Sequence, residues 1–198
     1  MFFGAESVNE DTLKMVNKKI TVDHIRAAIP RTKEFNIRPV ISFVIGFPGE
    51  TEESINDSLL LYDEIMKMNP AAHVSGLLLY TPYPGADLYD RAEADGFVPP
   101  SDLEGWGRWD FNYDTKHPWL GEKMIERLRT IGLLARYRFM KKEFFYRTRS
   151  RPLLQVIFRL LDLPLNLSFH LRWKIRSFIH AYEWRIWVYA VRKVFGYF

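Results

Sequence analysis

The sequence of 198 residues contains no cysteine. Disulfide bonds and thiolate-held zinc sites are therefore excluded for this chain, because both need cysteine side chains. The absence says little about the cellular compartment, since a reducing interior and chance both produce cysteine-free chains. Any chemistry of the chain alone must come from its other side chains, its backbone or a bound group.

The chain also has no long uncharged apolar run and no secretory start. None of its apolar runs approaches the roughly 18 residues that a membrane span requires. The start at Met1, Phe2 and Phe3 has neither the charged region nor the apolar stretch of a signal peptide. These absences predict a cytoplasmic protein, with peripheral membrane association as an alternative.

The most informative segment that is present covers residues 41–54, I-S-F-V-I-G-F-P-G-E-T-E-E-S. Its first residues are largely apolar and rich in β-branched types, which favours a buried strand. Gly46 and Gly49 permit a sharp turn, Pro48 stiffens it, and the acidic run from Glu50 suits the first turn of a helix. The segment predicts a strand–loop–helix joint, at which α/β proteins often bind ligands.

Two further joints of the same kind occur. Residues 74–80 form a short apolar run that ends in a Pro-rich loop, and a short helix is predicted at 86–94. At the start of the chain, apolar residues 1–3 pass into a turn and then a helix near 10–16. Strands that alternate with helices at this spacing predict a parallel sheet, with the loops that follow the strands on one edge.

Four motifs follow one another in residues 1–100: F-F-G-A-E-S at 2–7, K-K-I-T-V-D-H-I at 18–25, F-V-I-G-F-P-G-E-T at 43–51 and L-Y-T-P-Y-P-G-A-D-L-Y at 79–89. In this order they resemble the second half of a radical S-adenosylmethionine enzyme barrel. The branch is the one that often carries an N-terminal cobalamin-binding domain. The resemblance implies an α/β fold with a partial, or half, parallel β/α barrel.

The resemblance also implies a cofactor site at the loops that follow the three strands. The first loop would lie near the ribose and methionine of S-adenosylmethionine, the second would shape the adenine and methionine pocket, and the third would lie against the adenine. The predicted cofactor-binding residues are Glu6, Ser7, Gly46, Phe47, Pro48, Gly49, Glu50, Tyr80, Thr81 and Pro82. The family's fifth-strand pattern, Gly-x-Ile-x-Gly-x-x-Glu, fits in part, because Ser42 takes the first Gly position and Glu50 falls one place late.

The resemblance implies S-adenosylmethionine and a [4Fe–4S] cluster in the complete enzyme, with cobalamin as a further candidate cofactor. The family's cluster needs three thiolates from a C-x-x-x-C-x-x-C loop. This chain has none, so no catalytic or metal-binding residue is predicted in it. With three strands of the six in a complete barrel, we expect a fragment whose partner is the missing N-terminal barrel half. The alternative is a non-enzymatic barrel remnant that acts as a membrane-surface or protein-binding module.

Residues 101–120 are predicted to form an aromatic loop, because the stretch is rich in Trp, Tyr, Phe, Pro and Gly and has no helical period. Two interpretations are open. The loop could cover the barrel mouth, or it could form an aromatic plug under the barrel rim, which we favour. His117 has no neighbouring acid or second histidine and is predicted to be structural.

Residues 121–198 are predicted to form a basic, mainly helical tail. They carry 17 Lys and Arg against 5 Asp and Glu, whereas residues 1–120 carry 11 against 19. This asymmetry predicts an anionic partner for the tail. Helices are expected at 121–149, at 153–163, where Pro164 ends the helix, and at 167–194.

The last predicted helix carries a mostly apolar stripe, and three interpretations compete for it. The stripe residues are Leu171, Ile175, Phe178, Tyr182, Ile186, Tyr189 and Lys193. We favour packing into a core, the usual fate of such a stripe. The second interpretation is an anionic membrane surface on which residues 165–198 would lie. Nucleic acid ranks last, because no nucleic-acid motif is present.

Overall fold

The computed structural model describes residues 1–107 and 117–195, with the side chains of residues 188 and 190–195 outside that description. The chain divides into two compact units, Met1–Gly121 and Glu122–Phe198. The first unit contains strands and helices, whereas the described part of the second is helical.

The first unit is built on a three-stranded parallel sheet. Its strands are β1 (Phe2–Glu6), β2 (Val40–Ile45) and β3 (His73–Leu79), in the order β1-β2-β3. Each strand pairs with the next one along the chain, and a helical segment connects them, as expected for βα units. The predicted parallel sheet is confirmed. Because all strands run the same way, the loops that follow them lie at one edge.

The helices of the first unit begin at capping residues. These helices are α1 (Glu10–Met15), α2 (Val22–Glu34), α3 (Glu52–Met68), α4 (Tyr89–Ala94) and α5 (Leu103–Gly107). Asn9 caps α1, and Thr21 and His24 form a reciprocal capping box at α2. Thr51 Oγ1 accepts the Ser54 N–H at 3.2 Å at the start of α3. Each cap satisfies N–H groups that a helix start leaves unpaired.

The core of the first unit includes buried side chains of β2 and α3. Ile41, Phe43 and Ile45 of β2 are buried, as are Leu59 and Tyr62 of α3, which lie three residues apart on one helical face. A central parallel strand is typically apolar along its whole length because both faces are covered. This core fixes the end of β2 and the start of α3, and so positions the turn between them.

The structure extends β1 beyond its predicted end. The sequence predicts apolar residues 1–3 followed by a turn at Gly4, but β1 continues to Glu6. Gly4 pairs with Ser42 of β2, so the ladder overrides the turn preference of glycine. The register shifts between Gly4 and Glu6, and Glu6 has a positive φ of 61°. The chain therefore turns at Glu6, where the register shift ends.

The second unit contains α6 (Glu122–Arg147), α7 (Pro152–Ile175) and α8 (Tyr182–Phe195). The first predicted tail helix is confirmed as α6. The prediction that Pro164 ends the second helix is wrong, because α7 continues through it. Asp162 and Phe169, one on each side of Pro164, are both buried, and this packing outweighs the one backbone hydrogen bond that proline removes.

The uninterrupted α7 bears on the membrane interpretation of the tail. Within the described residues, one helix, α7, is long and apolar enough to cross a membrane by length and composition. The sequence still has no uncharged run of that length, because α7 meets the criterion with Arg159 and Asp162 inside it. An amphipathic helix on a membrane surface has similar length and composition, so this criterion does not choose between the two arrangements.

The predicted single helix at 167–194 is also wrong. The chain leaves the helix at Arg176, which has a left-handed backbone with φ of 55°. Arg172 holds the turn that follows: its guanidinium donates to the His180 carbonyl at 3.2 Å, to two other turn carbonyls, and to the Glu183 carboxylate at 3.1 Å. These bonds tie the turn between α7 and α8 to the last part of α7.

The described side chains of the apolar stripe are exposed, apart from Phe178. The aromatic side chains that are buried instead are Tyr137, Phe169, Trp173, Phe178 and Trp184. The favoured interpretation, that the stripe is core, is therefore wrong for its other described members. On α7 a set of apolar side chains shares one exposed face, which we call the α7 apolar face: Leu153, Val156, Ile157, Leu160, Leu161, Leu167, Leu171 and Ile175. Their exposed fractions run from 46% to 77%.

Candidate functional site

The predicted site residues lie at the carboxyl ends of the three parallel strands. Ile45 pairs with Leu79 as the last residues of β2 and β3, and the Tyr80 N–H donates to the Ile45 carbonyl at 2.8 Å. The sheet therefore places the loop that begins at Gly46 beside the loop that begins at Tyr80. Such an edge is the usual place for a ligand in a parallel α/β fold.

The turn after β2 is closed by its own glutamate. Gly46 and Gly49 both have φ of 81°, a region that favours glycine. One carboxylate oxygen of Glu50, Oε2, accepts the N–H groups of Gly46 and Phe47, and Oε1 accepts the Ser54 hydroxyl at 3.2 Å. The side chain that the sequence predicts as a cofactor ligand thus already binds the loop that carries it.

Burial of the Glu50 carboxyl raises its pKa, against the lowering effect of these same hydrogen bonds. Gly46, Phe47 and Pro48 are buried, whereas Gly49 is exposed. A Cβ at Gly49 would lie 3.0 Å from Nη2 of Arg91, the end of a long side chain. Arg91 therefore covers this turn, and it is a further group that sequence patterns alone did not single out.

An aromatic cluster lies at the ends of β2 and β3. The Phe47 and Tyr80 rings are 4.9 Å apart, and the Tyr80 and Trp119 rings are 6.2 Å apart. Leu88 and Met15 pack against the same cluster. We call Phe47, Tyr80 and Trp119 the aromatic cluster. Flat apolar rings of this kind suit a ligand with an aromatic base.

The hydroxyl of Tyr80 is buried and has no hydrogen-bond partner among the described residues. Burial raises the pKa of Tyr80 to about 12, so the hydroxyl keeps its proton at neutral pH. A buried donor without a partner is costly and uncommon in folded proteins. Thr81, half-buried, and Pro82, buried, follow Tyr80 in the same loop.

Two residues of the aromatic loop reach this site. His117 Nε2 lies 2.7 Å from the Tyr80 carbonyl, and Trp119 Nε1 donates to the Gly46 carbonyl at 2.9 Å. Because a carbonyl only accepts, Nε2 of His117 carries a proton in this bond. His117 is buried and structural, as predicted, and it fixes the end of β3. Trp109, Phe111 and Tyr113 of the same loop lie outside the described residues.

The loop after β1 is occupied by contacts within the protein. The Glu6 carboxylate binds Lys18 Nζ at 2.9 Å, and both side chains are about one-third exposed or less. Ser7 is fully buried, and its Oγ accepts the Asn9 N–H at 3.1 Å. Glu6 and Lys18 together form a partly open ion pair, whereas Ser7 supports the loop from inside.

The described residues of this site do not form a group of metal ligands. No group of three or more His, Cys, Asp or Glu residues that could hold a metal occurs in residues 1–107 and 117–195. The full sequence has no cysteine, so the residues present do not fit a thiolate-bound iron–sulfur cluster. The aromatic cluster and the unpartnered Tyr80 hydroxyl do fit an adenine-bearing ligand.

Residues 1–62 match the Radical SAM superfamily. The similar proteins include an uncharacterized methyltransferase of Pyrococcus horikoshii, 30% identical over 98 residues, which are 50% of this chain and 20% of that protein. They also include the tRNA-2-methylthio-N(6)-dimethylallyladenosine synthase of Paracoccus denitrificans, 33% identical over 103 residues, 50% of this chain and 22% of that protein. The anaerobic magnesium-protoporphyrin IX monomethyl ester cyclase of Rubrivivax gelatinosus is 30% identical over 88 residues, 44% and 15% of the two chains.

The matched part of this chain spans about a fifth of the length of these relatives. The resemblance to radical S-adenosylmethionine enzymes is confirmed, and it lies in the unit that contains the sheet. In such enzymes S-adenosylmethionine and a [4Fe–4S] cluster are the expected cofactors. The proposed roles of the individual site residues remain predictions.

Proposed function

We propose that the first unit of this radical SAM-related chain binds S-adenosylmethionine at the carboxyl ends of β1, β2 and β3. The observation that carries this assignment is the aromatic cluster with the buried, unpartnered Tyr80 hydroxyl. The adenine would lie against the Tyr80 ring, and the hydroxyl would donate to a nitrogen or oxygen acceptor of the cofactor. The bound cofactor supplies radical or methyl-transfer chemistry.

The other residues of the site would hold the pocket in shape. Glu50 fixes the turn after β2 through the Gly46 and Phe47 N–H groups. Trp119 and His117 hold the carbonyls of Gly46 and Tyr80. The Glu6–Lys18 pair lies at the end of β1 and offers a cation and a carboxylate, which match the two charged ends of the methionine moiety.

The [4Fe–4S] cluster requires thiolates that this chain does not have. We propose that a cysteine-bearing N-terminal barrel half, in the same or a separate polypeptide, provides them. β1 is an edge strand and pairs on one side alone in the described sheet, with β2. Beside it lies an apolar recess of about 250 Å³ whose lining includes Phe3, Ala5 and Ile29. An unpaired edge next to apolar surface suits an added parallel strand and its helix.

The reaction class follows from the names of the relatives alone, which include a methyltransferase and a cyclase. We therefore propose methyl transfer or cyclisation as the activity of the complete enzyme, with cobalamin as an additional cofactor. Binding of cobalamin by the cysteine-bearing half, measured by its visible absorbance, tests this extension. Activity without cobalamin would remove it and leave the S-adenosylmethionine site unaffected.

The cofactor site is tested by titration of the chain with S-adenosylmethionine, followed by NMR. Tyr80→Phe removes the hydroxyl and keeps the ring, so we expect about tenfold weaker binding, the cost of one buried hydrogen bond. Tyr83→Phe is the matched control, because Tyr83 is exposed. Equal affinity of wild type and Tyr80→Phe would remove this hydroxyl from the site, and absence of any binding would contradict the assignment.

The proposal that a second, cysteine-bearing half binds the cluster is tested by anaerobic reconstitution with iron and sulfide. The chain alone should show no [4Fe–4S] absorbance, and co-expression with a cysteine-bearing half should restore it together with tighter cofactor binding. If no cysteine-bearing partner exists in the source genome, the alternative, a non-enzymatic remnant that binds a membrane or a protein, is favoured.

A second function is favoured by the α7 apolar face. We propose that the second unit associates peripherally with an anionic membrane surface from the cytoplasm. The face includes Leu160, Leu161 and Leu167, all more than half exposed. The tail carries 17 Lys and Arg against 5 Asp and Glu, which complements anionic lipid. Co-sedimentation with anionic vesicles, and its loss at high salt, tests the association.

A further inference from the structure

One arginine side chain joins the segments that follow all three strands. Arg91 belongs to α4, which follows β3, and its Nη1 donates to the sulfur of Met15 at 3.5 Å, at the end of α1, which follows β1. Its Nη2 lies 3.0 Å from the place that a Cβ at Gly49 would take, in the turn after β2. Because Gly49 has no Cβ, the guanidinium can lie directly over this turn.

Met15 connects Arg91 to the proposed cofactor site. Its side chain packs against the aromatic cluster, which includes Phe47 and Tyr80, and its sulfur accepts the hydrogen bond from Arg91. The guanidinium therefore lies one side chain away from the rings that are proposed to hold the adenine. A second ligand that binds beside the cofactor on this edge would come within reach of Arg91.

The contacts of Arg91 within the protein are weak for a guanidinium. A thioether sulfur is a weak acceptor, and Arg91 Nε lies 3.9 Å from Asp95 Oδ2, beyond hydrogen-bond distance. The side chains of Arg91 and Asp95 are 50% and 40% exposed, so solvent screens this pair. A carboxylate or phosphate matches the planar fork of guanidinium donors, and it would replace these contacts with paired, charge-assisted hydrogen bonds.

Two other charged groups near this edge are held by close contacts. The Glu50 carboxylate accepts N–H groups of its own turn and the Ser54 hydroxyl, and Lys18 pairs with Glu6 at 2.9 Å. The Glu6–Lys18 pair already matches the two charged ends of the methionine moiety in the function proposed above. An acidic group on a second ligand is therefore the better match for Arg91.

We propose that Arg91 binds an oxyanion, a carboxylate or a phosphate, of the substrate that reacts beside the cofactor. The proposal rests on the cofactor site proposed above and names the class of its substrate, an anion. The guanidinium would turn from the Met15 sulfur to the oxyanion and donate two parallel N–H bonds to it. The substrate would then lie over Gly49 and Met15, next to the aromatic cluster.

The first experiment separates the substrate from the cofactor as the source of the oxyanion. Wild type and Arg91→Gln are each titrated with S-adenosylmethionine and with decarboxylated S-adenosylmethionine, which lacks the carboxylate. We expect Arg91→Gln to leave both affinities within about twofold of wild type. A loss of about tenfold for S-adenosylmethionine alone would assign Arg91 to the cofactor carboxylate and overturn the substrate assignment. Absence of binding to wild type would instead contradict the cofactor site itself.

The second experiment detects the oxyanion at Arg91. The methyl signal of Met15 is followed by NMR as the full chain, with and without S-adenosylmethionine, is titrated with methyl phosphate and, separately, with acetate at constant ionic strength. Loss of the Arg91 contact should shift this signal in a saturable way, and Arg91→Gln should weaken the response about tenfold. The anion that saturates the response at the lower concentration identifies the oxyanion.

Two further variants show whether the response belongs to the guanidinium. Arg91→Lys keeps the charge and removes the planar fork, so it should retain a weaker response. Arg31→Gln is the matched control, because Arg31 is an exposed arginine of α2, and it should behave as wild type. A Met15 response that does not saturate, or that is equal in wild type and Arg91→Gln, would overturn the site.

Discussion

The two units treat their apolar residues in opposite ways. In the first unit, Leu59 and Tyr62 of α3 are buried. In the second, α7 buries Phe169 and Trp173 on one face and exposes leucines and isoleucines along the other. Soluble proteins rarely expose a large contiguous apolar patch, so such a patch marks a binding surface. The comparison agrees with the two proposals made above, a ligand site at the loop edge of the first unit and a binding surface along a helix of the second.

The largest expected effect comes from truncating a buried leucine of the first unit, compared with an exposed leucine of the second. Leu59→Ala should lower the free energy of unfolding of the first unit by about 3 kcal/mol, because Leu59 is fully buried. Leu160→Ala should cost the second unit less than about 0.5 kcal/mol, since the side chain is exposed. Urea unfolding followed by hydrogen exchange separates the two units. Equal losses at both sites would show that the α7 apolar face is covered.

A second large effect concerns the ion pair of Lys141 on α6 and Asp162 on α7. Lys141→Met would leave the Asp162 carboxylate buried without its cation and should destabilise the second unit by about 3 kcal/mol. Lys123→Met on the same helix is the control and should be near neutral. Thermal unfolding of both variants makes the measurement. A neutral Lys141→Met would mean that Tyr137 alone satisfies Asp162.

A smaller effect is expected on vesicle binding when a charge is placed on the α7 apolar face. Leu160→Glu places a carboxylate on the α7 apolar face and should weaken binding to anionic vesicles at least tenfold, by lost apolar area and by repulsion. Leu60→Glu is the matched control, because Leu60 is exposed on α3 of the first unit. Vesicle co-sedimentation should separate the two. An equal reduction in both would trace the loss to total charge rather than to this face.

In both units the sequence predicts features that depend on local patterns and not those that depend on contacts between distant residues. The parallel strands and the turn at Gly46 follow from local patterns of apolar residues and glycine. The contacts of His117 and Trp119 join residues 37 and 73 positions apart, and no local pattern encodes them. The turn at Arg176 depends likewise on the reach of Arg172 to His180 and Glu183.

The assignment of core also failed where tertiary contacts decide. A helical stripe identifies an apolar face but not whether anything covers it. On α3 the apolar face is buried, whereas on α7 the buried side chains are Phe169 and Trp173, from a different face. The contact of Glu50 is likewise absent from the motif: its carboxylate accepts the Gly46 and Phe47 N–H groups, and its predicted role at the cofactor stays a prediction.

Acid should act on the two units in opposite directions. Burial raises the pKa of Glu50, so the charged carboxylate destabilises the folded first unit at neutral pH. As pH falls through this raised pKa, the carboxyl takes up a proton, and the first unit gains stability until pH reaches the ordinary pKa of 4.5. Burial also acts on Glu183, but hydrogen bonds from Arg172 and Ser168 outweigh it and lower the pKa of Glu183. Its contribution is therefore present above 4.5 and is lost as pH falls through the folded pKa.

The effect of pH is measured by urea unfolding between neutral and acid pH in Glu50→Gln and Glu183→Gln. Glu50→Gln should flatten the pH dependence of the first unit, and Glu183→Gln that of the second. Unchanged pH profiles in both variants would contradict the roles given to these carboxylates. We expect these changes to be smaller than those of the leucine substitutions, because Glu183 is 39% exposed.

The most direct measurement is hydrogen exchange of the whole chain with each ligand in turn, followed by mass spectrometry. S-adenosylmethionine should slow exchange in peptides that cover residues 43–54 and 77–84 and leave residues 152–175 unchanged. Anionic vesicles should do the reverse, with protection confined to 152–175 and 182–189. Protection of the strand-end loops by vesicles, or no change at residues 43–54 with S-adenosylmethionine, would contradict the separation of a cofactor unit from a membrane unit.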